Sequence, residues 1–336
     1  MRDEKITLSY GSGGRLTLKL IKNLILRYFN SEELKNLDDS AFVGVNTKKI
    51  LFTTDSYTVS PIFFPGGDIG KLAITGTVND LAVCGAEPLF ISVGFILEEG
   101  LPLDIFEKIL NSMKKAANEC NVKIVTGDTK VVQQGKADKI FINTSGIGEF
   151  RGGKKFDKKN IKPGDVIIIN GGIGEHGAVI MGLQKGLQFD FKLKSDCAGL
   201  NKMIIAIIEN CSGIKFMRDP TRGGLATTLN EIIESTGFSA LIYEDKLLIK
   251  KEVNSLCEIL GLDPLYLANE GKVIIVASKD KSDKIINIMR RYKEGKKARI
   301  IGEIIETDEE KVLLKTKIGT NRILDILTGQ ALPRIC

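Results

Sequence analysis

Four short acidic groups stand in the first half of the chain: Asp38-Asp39-Ser40, Thr54-Asp55-Ser56, Asn79-Asp80 and Gly127-Asp128-Thr129. Each joins a carboxylate to small or hydroxyl neighbours. That is the oxygen chemistry a magnesium–triphosphate complex needs, because Mg²⁺ takes few protein carboxylates and keeps water and phosphate oxygens for the rest. Taken singly, any of these groups is equally a helix cap or a turn. Four in one half of the chain, each expected where a strand or helix ends, suggest a site. Gly11-Ser-Gly-Gly-Arg15 precedes a helical pattern, where free backbone N–H groups favour phosphate; a flexible loop fits it equally well. Gly66-Gly-Asp-Ile-Gly-Lys71 lacks the glycine spacing and final Ser/Thr of a P-loop, so ATP, if bound, is bound by another fold.

The second half offers different chemistry. Gly172-Ile-Gly174-Glu-His-Gly177 follows an apolar run and opens a helical pattern, as a dinucleotide fingerprint does. Its acidic partner should fall about 20 residues on, where Asp190 and Asp196 sit in polar surroundings without a clean second strand. The glycines could equally close a tight turn over another ligand. In Asp219-Pro-Thr-Arg222-Gly223-Gly224 the proline fixes the chain, the glycines admit a ligand to the backbone and Arg222 can fork onto phosphate; a capped helix start is the plain alternative. Ala268-Asn-Glu270-Gly-Lys272 places a carboxylate at a strand edge, a general base or a solvated turn. His176, the only histidine, is either ligand-facing or structural. Cys336 ends the chain behind Pro333-Arg334-Ile335, as an exposed thiol nucleophile or carrier.

Apolar periodicity supplies the elements that must carry these groups. Helices are expected over 16–28, 69–83, with a small-residue face at Ala73, Thr77 and Ala82, and 103–120. Strands are expected over 41–43, 50–54, 89–97, 123–126 and 139–147, with Glu87-Pro88 closing the unit before 89. The glycine- and lysine-rich stretch 151–164 with its Pro-Gly turn reads as a boundary. Beyond it strands are expected at 165–170, 273–277, 299–305 and 311–315, with helices at 175–185, 200–211, 224–235 and 281–292. Alternating strands and helices in both halves predict two α/β domains with mixed sheets, residues 1–153 and 154–320, followed by a mobile tail, 321–336.

Bulk properties exclude several classes. At about 150 residues per domain, 336 residues make two domains. With 43% hydrophobic and 27% charged residues the chain is globular. Its net charge of +6 is too mild and dispersed for a nucleic-acid binder; the lysines at 154–159 and 293–299 read as solvated loops. The longest apolar run, 89–97, falls short of the roughly 20 residues that span a membrane. No apolar h-region follows Met1-Arg-Asp-Glu-Lys, so no signal peptide is expected. Six cysteines without a C-x-x-C pair, and one histidine, make a zinc site or disulfide framework a poor fit and point to reduced thiols in the cytoplasm. Cys84, Cys120, Cys211 and Cys257 sit in apolar helical patterns and are expected in the core.

The tail joins these hints. Pro333-Arg-Ile-Cys336 resembles the C-terminus of the hydrogenase maturation factor HypE family, and Gly11-Ser-Gly-Gly-Arg15, Asp38-Asp39, Thr54-Asp55-Ser56, Thr77-Val-Asn79-Asp80-Leu, Thr126-Gly-Asp128-Thr-Lys130, Gly174-Glu-His176-Gly177, Arg218-Asp219-Pro-Thr-Arg222-Gly-Gly224 and Ala268-Asn-Glu270-Gly resemble its motifs in order along nearly the whole chain. Tyr10 departs from the pattern, standing where the family often has histidine. The resemblance implies a PurM-like fold, shared with aminoimidazole ribonucleotide synthetase and selenophosphate synthetase, and a homodimer with ATP in a cleft. It implies that the carbamoyltransferase HypF loads Cys336, that ATP-dependent dehydration converts the S-carboxamide to an S-cyanide, and that the cyano group passes to iron on a HypC–HypD scaffold. It assigns Glu270 as base with Lys130 relaying, Asp39, Asp55, Asp80 and Asp128 to Mg²⁺, and Asn79, Asp219, Arg222, Gly223 and His176 to the nucleotide. Alternatives are a superfamily kinase acting on a free small molecule, which would not need Cys336, and a non-enzymatic thiol carrier.

Overall fold

A computed structural model of the chain describes residues 5–11, 15–35, 41, 43–47, 49–153, 155–187, 193–307, 309–326 and 334–336. Asp38-Asp39-Ser40 lies outside them, so Asp39 stays an expectation from sequence.

The first sheet is built from β1 (Ile50–Tyr57), β2 (Ala86–Glu98), β3 (Lys123–Val132) and β4 (Ile140–Phe150), in the order β1-β4-β2-β3. Two helices, α1 (Ile69–Val83) and α2 (Leu103–Cys120), cover one of its faces. The β2–β3 pair is parallel and α2 is its crossover. Leu103, Phe106, Ile109, Leu110, Met113 and Ala117 make the buried stripe of α2 at the expected helical spacing. In α1 nearly every residue is buried, so its surface is apolar or small all round. Asp68 caps it, accepting from the N–H groups of Gly70 at 2.8 Å and Lys71 at 3.1 Å. That cap is what the P-loop-like glycine cluster builds.

The second sheet has seven strands. These are β5 (Val166–Ile169), β6 (Ile214–Arg218), β7 (Ser239–Tyr243), β8 (Ile274–Ala277), β9 (Arg299–Ile305), β10 (Val312–Lys315) and β11 (Asn321–Leu324). Their order is β11-β10-β7-β9-β5-β8-β6. The helices that concern the site here are α3 (Glu175–Gln184), α4 (Asn201–Asn210) and α5 (Gly224–Ile233). The core of the first domain runs on through Ala178, Val179 and Ile180 of α3 and takes in Ile335. Among the described residues no helix is long and apolar enough to cross a membrane.

Several expectations change. The strand expected to stop at Thr54 runs to Tyr57, and the one expected over 123–126 runs to Val132. Asp55, Asp80 and Asp128 therefore sit inside elements rather than at their ends. Pro88 lies within β2, where the pairing register shifts between Pro88 and Phe90, the kind of irregularity that lets a strand carry proline. Residues 41 and 43 are not in a strand. The tail expected from 321 begins with an ordered strand, because Asn321–Leu324 pairs antiparallel with β10. Cys84 is exposed, since it caps the far end of α1, and Cys211 is only half-buried. The dinucleotide reading of Gly172 to Gly177 also fails. β5 lies between antiparallel neighbours, so no parallel βαβ unit exists there. Gly177 is glycine because a Cβ would lie 2.9 Å from the backbone nitrogen of Ala268.

Gly76 on α1 faces the Tyr57 ring, and a Cβ there would collide with the Tyr57 hydroxyl. Gly76→Ala should destabilise the protein by about 1–3 kcal/mol through overpacking against a rigid ring. Chemical denaturation measures this; an unchanged midpoint would mean that Tyr57 is not held where it is described.

Candidate active site

A cavity of about 340 Å³ opens between the two sheets. β1 presents Asp55 and Tyr57 to it, α1 presents Asp80, the β6–α5 loop Asp219 and Arg222, the segment before β8 Glu270, and the tail Cys336. The Tyr57 hydroxyl donates to Asp55 at 3.2 Å, and the Thr53 hydroxyl to Asp80 at 3.1 Å. Arg222 stands 3.8 Å from Asp55, with its side chain open to solvent. Three carboxylates sharing one recess cannot all ionise cheaply. Burial, then the charges of Asp219 and Asp55, push Asp80 up to about 8. Burial, with Asp55 adding, pushes Asp219 up to about 6.

Glu270 is held by its neighbours rather than by its own carboxylate. Asp196 accepts from the N–H groups of Glu270 at 3.3 Å and Gly271 at 3.1 Å, and from the Lys272 ammonium at 2.8 Å. A Cβ on Gly271 would strike the Asp196 carbonyl, so only glycine fits there. Asn269, fully buried, accepts from Gly174 N–H at 2.7 Å and donates to Leu267 at 2.9 Å and Pro220 at 3.3 Å, tying three loops together. The Glu270 side chain is only 3% exposed, and its Oε1 is buried without a hydrogen-bond partner among the described residues. Burial, followed by the charges of Asp196, Asp219, Asp55 and Asp80, raises its pKa well above the usual carboxylate range. Asp196 is buried as well, yet the Lys272 ammonium holds it below its ordinary value.

Cys336 reaches the cavity because the tail docks. The Thr58 N–H and hydroxyl donate to the Cys336 carbonyl at 3.0 and 3.2 Å, and Ser60 N–H to the Arg334 carbonyl at 3.3 Å. Arg334 donates to the Thr58 carbonyl at 2.8 Å, pairs with Asp138 at 2.8 Å and stacks over Phe141 at 5.5 Å. Ile335 is buried. Burial, with Glu270 adding, pushes the Cys336 thiol up to about 11.

Not every expected site residue reaches this cavity. Register puts Asp128 in one row with Ser56, Asn143 and Gly94, whereas Asp55 shares its row with Thr144 and Val93. Since alternate residues of a strand face opposite ways, Asp128 and Lys130 lie on the uncovered face of the first sheet, paired with each other at 3.2 Å and well exposed. Neither lines the cavity. Among the described residues no group of three or more His, Cys, Asp or Glu is close enough to hold a metal. Of the expected quartet, Asp55 and Asp80 share the cavity with Asp219, Asp128 lies off it, and Asp39 is outside the described residues. Asn79 points away from the cavity, donating to the carbonyls of Ala198 at 3.0 Å and Glu270 at 3.4 Å and accepting from Leu200 N–H at 2.8 Å. His176 is fully buried against the tail and does not line the cavity. Gly223, at φ 65°, forms the left-handed corner before α5, behind Arg222. Tyr57 carries no signal in the sequence, and Asp196, which the sequence offers only as the acid of a dinucleotide turn, anchors the Glu270 segment instead.

Residues 37–150 match the AIR synthase related protein N-terminal domain, and residues 162–315 its C-terminal domain. The carbamoyl dehydratase HypE of Cupriavidus necator is 43% identical over 337 residues, covering 100% of this chain and 96% of that protein. The crystal structure of hydrogenase maturation protein HypE in complex with ATP superposes with a TM-score of 0.94 at 45% identity, covering 98% of this chain and 99% of that one. The chain belongs to the HypE carbamoyl dehydratase family. A HypE–HypF complex also matches, with a TM-score of 0.80 at 47% identity over 92% of this chain and 99% of that one. The two-domain PurM-like α/β architecture of the family is thus the architecture of this chain, as its motifs implied.

Breaking the Asp196–Lys272 pair leaves a buried ammonium with only Glu175, 3.7 Å away. Asp196→Ala should cost about 3–5 kcal/mol, and Asp196→Leu combined with Lys272→Met should recover most of that loss. Equilibrium unfolding of both proteins checks it; a single-variant cost under about 1 kcal/mol would remove Asp196 as the anchor of the Glu270 segment.

Proposed function

We propose that the protein is an ATP-dependent dehydratase acting on a carbamoyl group carried by its own Cys336 sulfur, turning the S-carboxamide into an S-cyanide for the iron of a nickel–iron hydrogenase. The observation that carries this is the presence of Cys336, Glu270 and an acidic cluster in one cavity. A kinase for a free small molecule, or a passive carrier, has no use for a terminal thiol lodged beside such a cluster.

Dehydration breaks the amide C–O bond, removes two N–H protons and leaves a C≡N triple bond. Transfer of the γ-phosphoryl group of ATP to the amide oxygen, with ADP as the leaving group, would let that oxygen depart as phosphate when the C–O bond breaks. The ATP site is supported by the acidic cluster: burial and mutual repulsion raise Asp80 and Asp219, and Mg²⁺ held by one or two of Asp55, Asp80 and Asp219, with phosphate and water oxygens completing its shell, would relieve that repulsion. Arg222 is placed to approach phosphate oxygens. The three elements that bear Thr54, Asp80 and Asp219 continue into an apolar cavity of about 640 Å³ lined by Leu51, Cys84, Phe150 and Phe216, of the right character for the base. Glu270 takes the protons from nitrogen. A carboxylate that its surroundings disfavour as an anion is a strong proton acceptor once ionised, and its unpartnered oxygen leaves room for an N–H donor.

The thiol at about 11 stays protonated while docked and is then a poor nucleophile. Loading therefore takes place with the tail outside, on a HypF-type carbamoyltransferase, and a HypC–HypD-type scaffold receives the cyano group. The uncovered sheet face, with Phe52 68% and Ile50 52% exposed, supports pairing of two copies as a homodimer, with Asp128 and Lys130 on the interface.

Glu270→Gln should bind ATP within about threefold of wild type yet slow single-turnover dehydration of a preloaded tail by about 10²–10⁴; a wild-type rate would take Glu270 out of the base role. Cys336→Ala should bind ATP and yield no cyanide, and cyanation without that thiol would overturn the mechanism. Phe52→Asp should give a monomer in sedimentation velocity; an unchanged dimer would assign the interface elsewhere.

A further inference from the structure

We infer that His176 is the latch that sets how long the tail stays docked, a positioning residue for the reaction rather than a ligand of the nucleotide. One ring nitrogen, Nε2, lies 2.8 Å from the Ile335 carbonyl, and the other, Nδ1, lies 2.8 Å from the Ser195 hydroxyl. A carbonyl has no proton to give, so Nε2 carries the hydrogen and donates it to the tail backbone. Burial of the ring disfavours the imidazolium, so Nδ1 is the acceptor and the Ser195 hydroxyl donates to it. Ser195 is itself fixed, because its oxygen accepts from Cys197 N–H at 3.1 Å and its own N–H donates to the Pro65 carbonyl at 2.8 Å. Phe64 packs edge-on against the ring at 5.4 Å. Every side of the imidazole is thus specified, and its one free donor is aimed at the residue before Cys336.

Undocking strips that N–H of its acceptor, leaves the ring against Phe64, and empties the space filled by Ile335. An orphaned buried donor is costly, so the latch biases the tail inward. The bias has to be modest, because on the dehydratase reading above the same tail must leave for loading and delivery. His176 therefore adjusts the share of time that Cys336 spends in the cavity. The remaining holds are weaker candidates for this role: Arg334 and Asp138 are partly exposed, and Thr58 contributes at the cavity mouth.

The test needs no ATP and no carbamoyl group, so its failure and the failure of the dehydratase reading are separate results. Wild-type protein and His176→Phe, which keeps the ring's bulk and loses the donor, are alkylated with iodoacetamide and each cysteine is followed by peptide mass spectrometry. Cys336 should react about five- to tenfold faster in His176→Phe. Exposed Cys84 should react at an unchanged rate, buried Cys120, Cys197 and Cys257 should stay protected, and His176→Gln, which restores an N–H donor, should bring Cys336 part of the way back. Equal Cys336 rates in wild type and His176→Phe overturn the inference. If the buried thiols of His176→Phe also react, Ser195→Ala, which keeps the ring but frees its orientation, carries the test: selective acceleration at Cys336 supports the latch and a wild-type rate overturns it.

Discussion

Burying a carboxylate without a counter-charge is expensive, and much of this molecule serves to hold Glu270 in that condition. Its backbone is fixed by Asp196 and Asn79, its neighbours by Asn269, and its side chain is left with one oxygen unsatisfied. Lys272, two residues along the chain, is drawn onto Asp196 and Glu175 instead. On the proposed function the result is a buried, reactive base set beside three further acids whose repulsion a cation would relieve. Each of these arrangements costs stability, and the well-filled cores on either side supply it.

On the proposed function the reacting group arrives on a peptide, and this sets the second constraint. A docked tail must be guided at several points if its last side chain is to sit within reach of Glu270, yet remain releasable. The structure divides the task between main-chain hydrogen bonds to Thr58 and Ser60, the Arg334 clamp on Asp138 and Phe141, and the His176 donor under Ile335. On the proposed function, sharing the task among several holds keeps docking reversible for a tail that must also leave the cavity.

Much of this was legible in the sequence. The helices at 69–83 and 103–120 announced themselves through density and periodicity of apolar residues, and Glu270, Asp55, Asp80, Asp219 and Cys336 were marked by their small or rigid neighbours. What misled was locality. Asp128 and Lys130 stand in a motif that looks like a loop, but the strand runs through it, and the two-residue period then turns both side chains to the uncovered face. His176 lies beside a glycine-rich turn that resembles a phosphate loop; its actual partner is 159 residues away. The roles of Tyr57 and Asp196 carry no local signal, because they arise only when β1 meets α1 and when the segment before α4 meets the β8 approach. Nothing in the four residues of edge strand at Asn321–Leu324 reveals the neighbour they pair with, so sequence alone reads them as part of a mobile tail.

The account's central claim is a change of covalent state on the protein's own last residue. Intact-mass spectrometry of protein carbamoylated on Cys336, with and without magnesium and ATP, tests it most directly. A loss of about 18 Da by simple stoichiometry, confined to the Cys336 peptide and dependent on ATP, is the predicted result for a group carried covalently on the nucleophile. Retention of the carbamoyl mass, with ATP bound and carbamoylation confirmed, would contradict it.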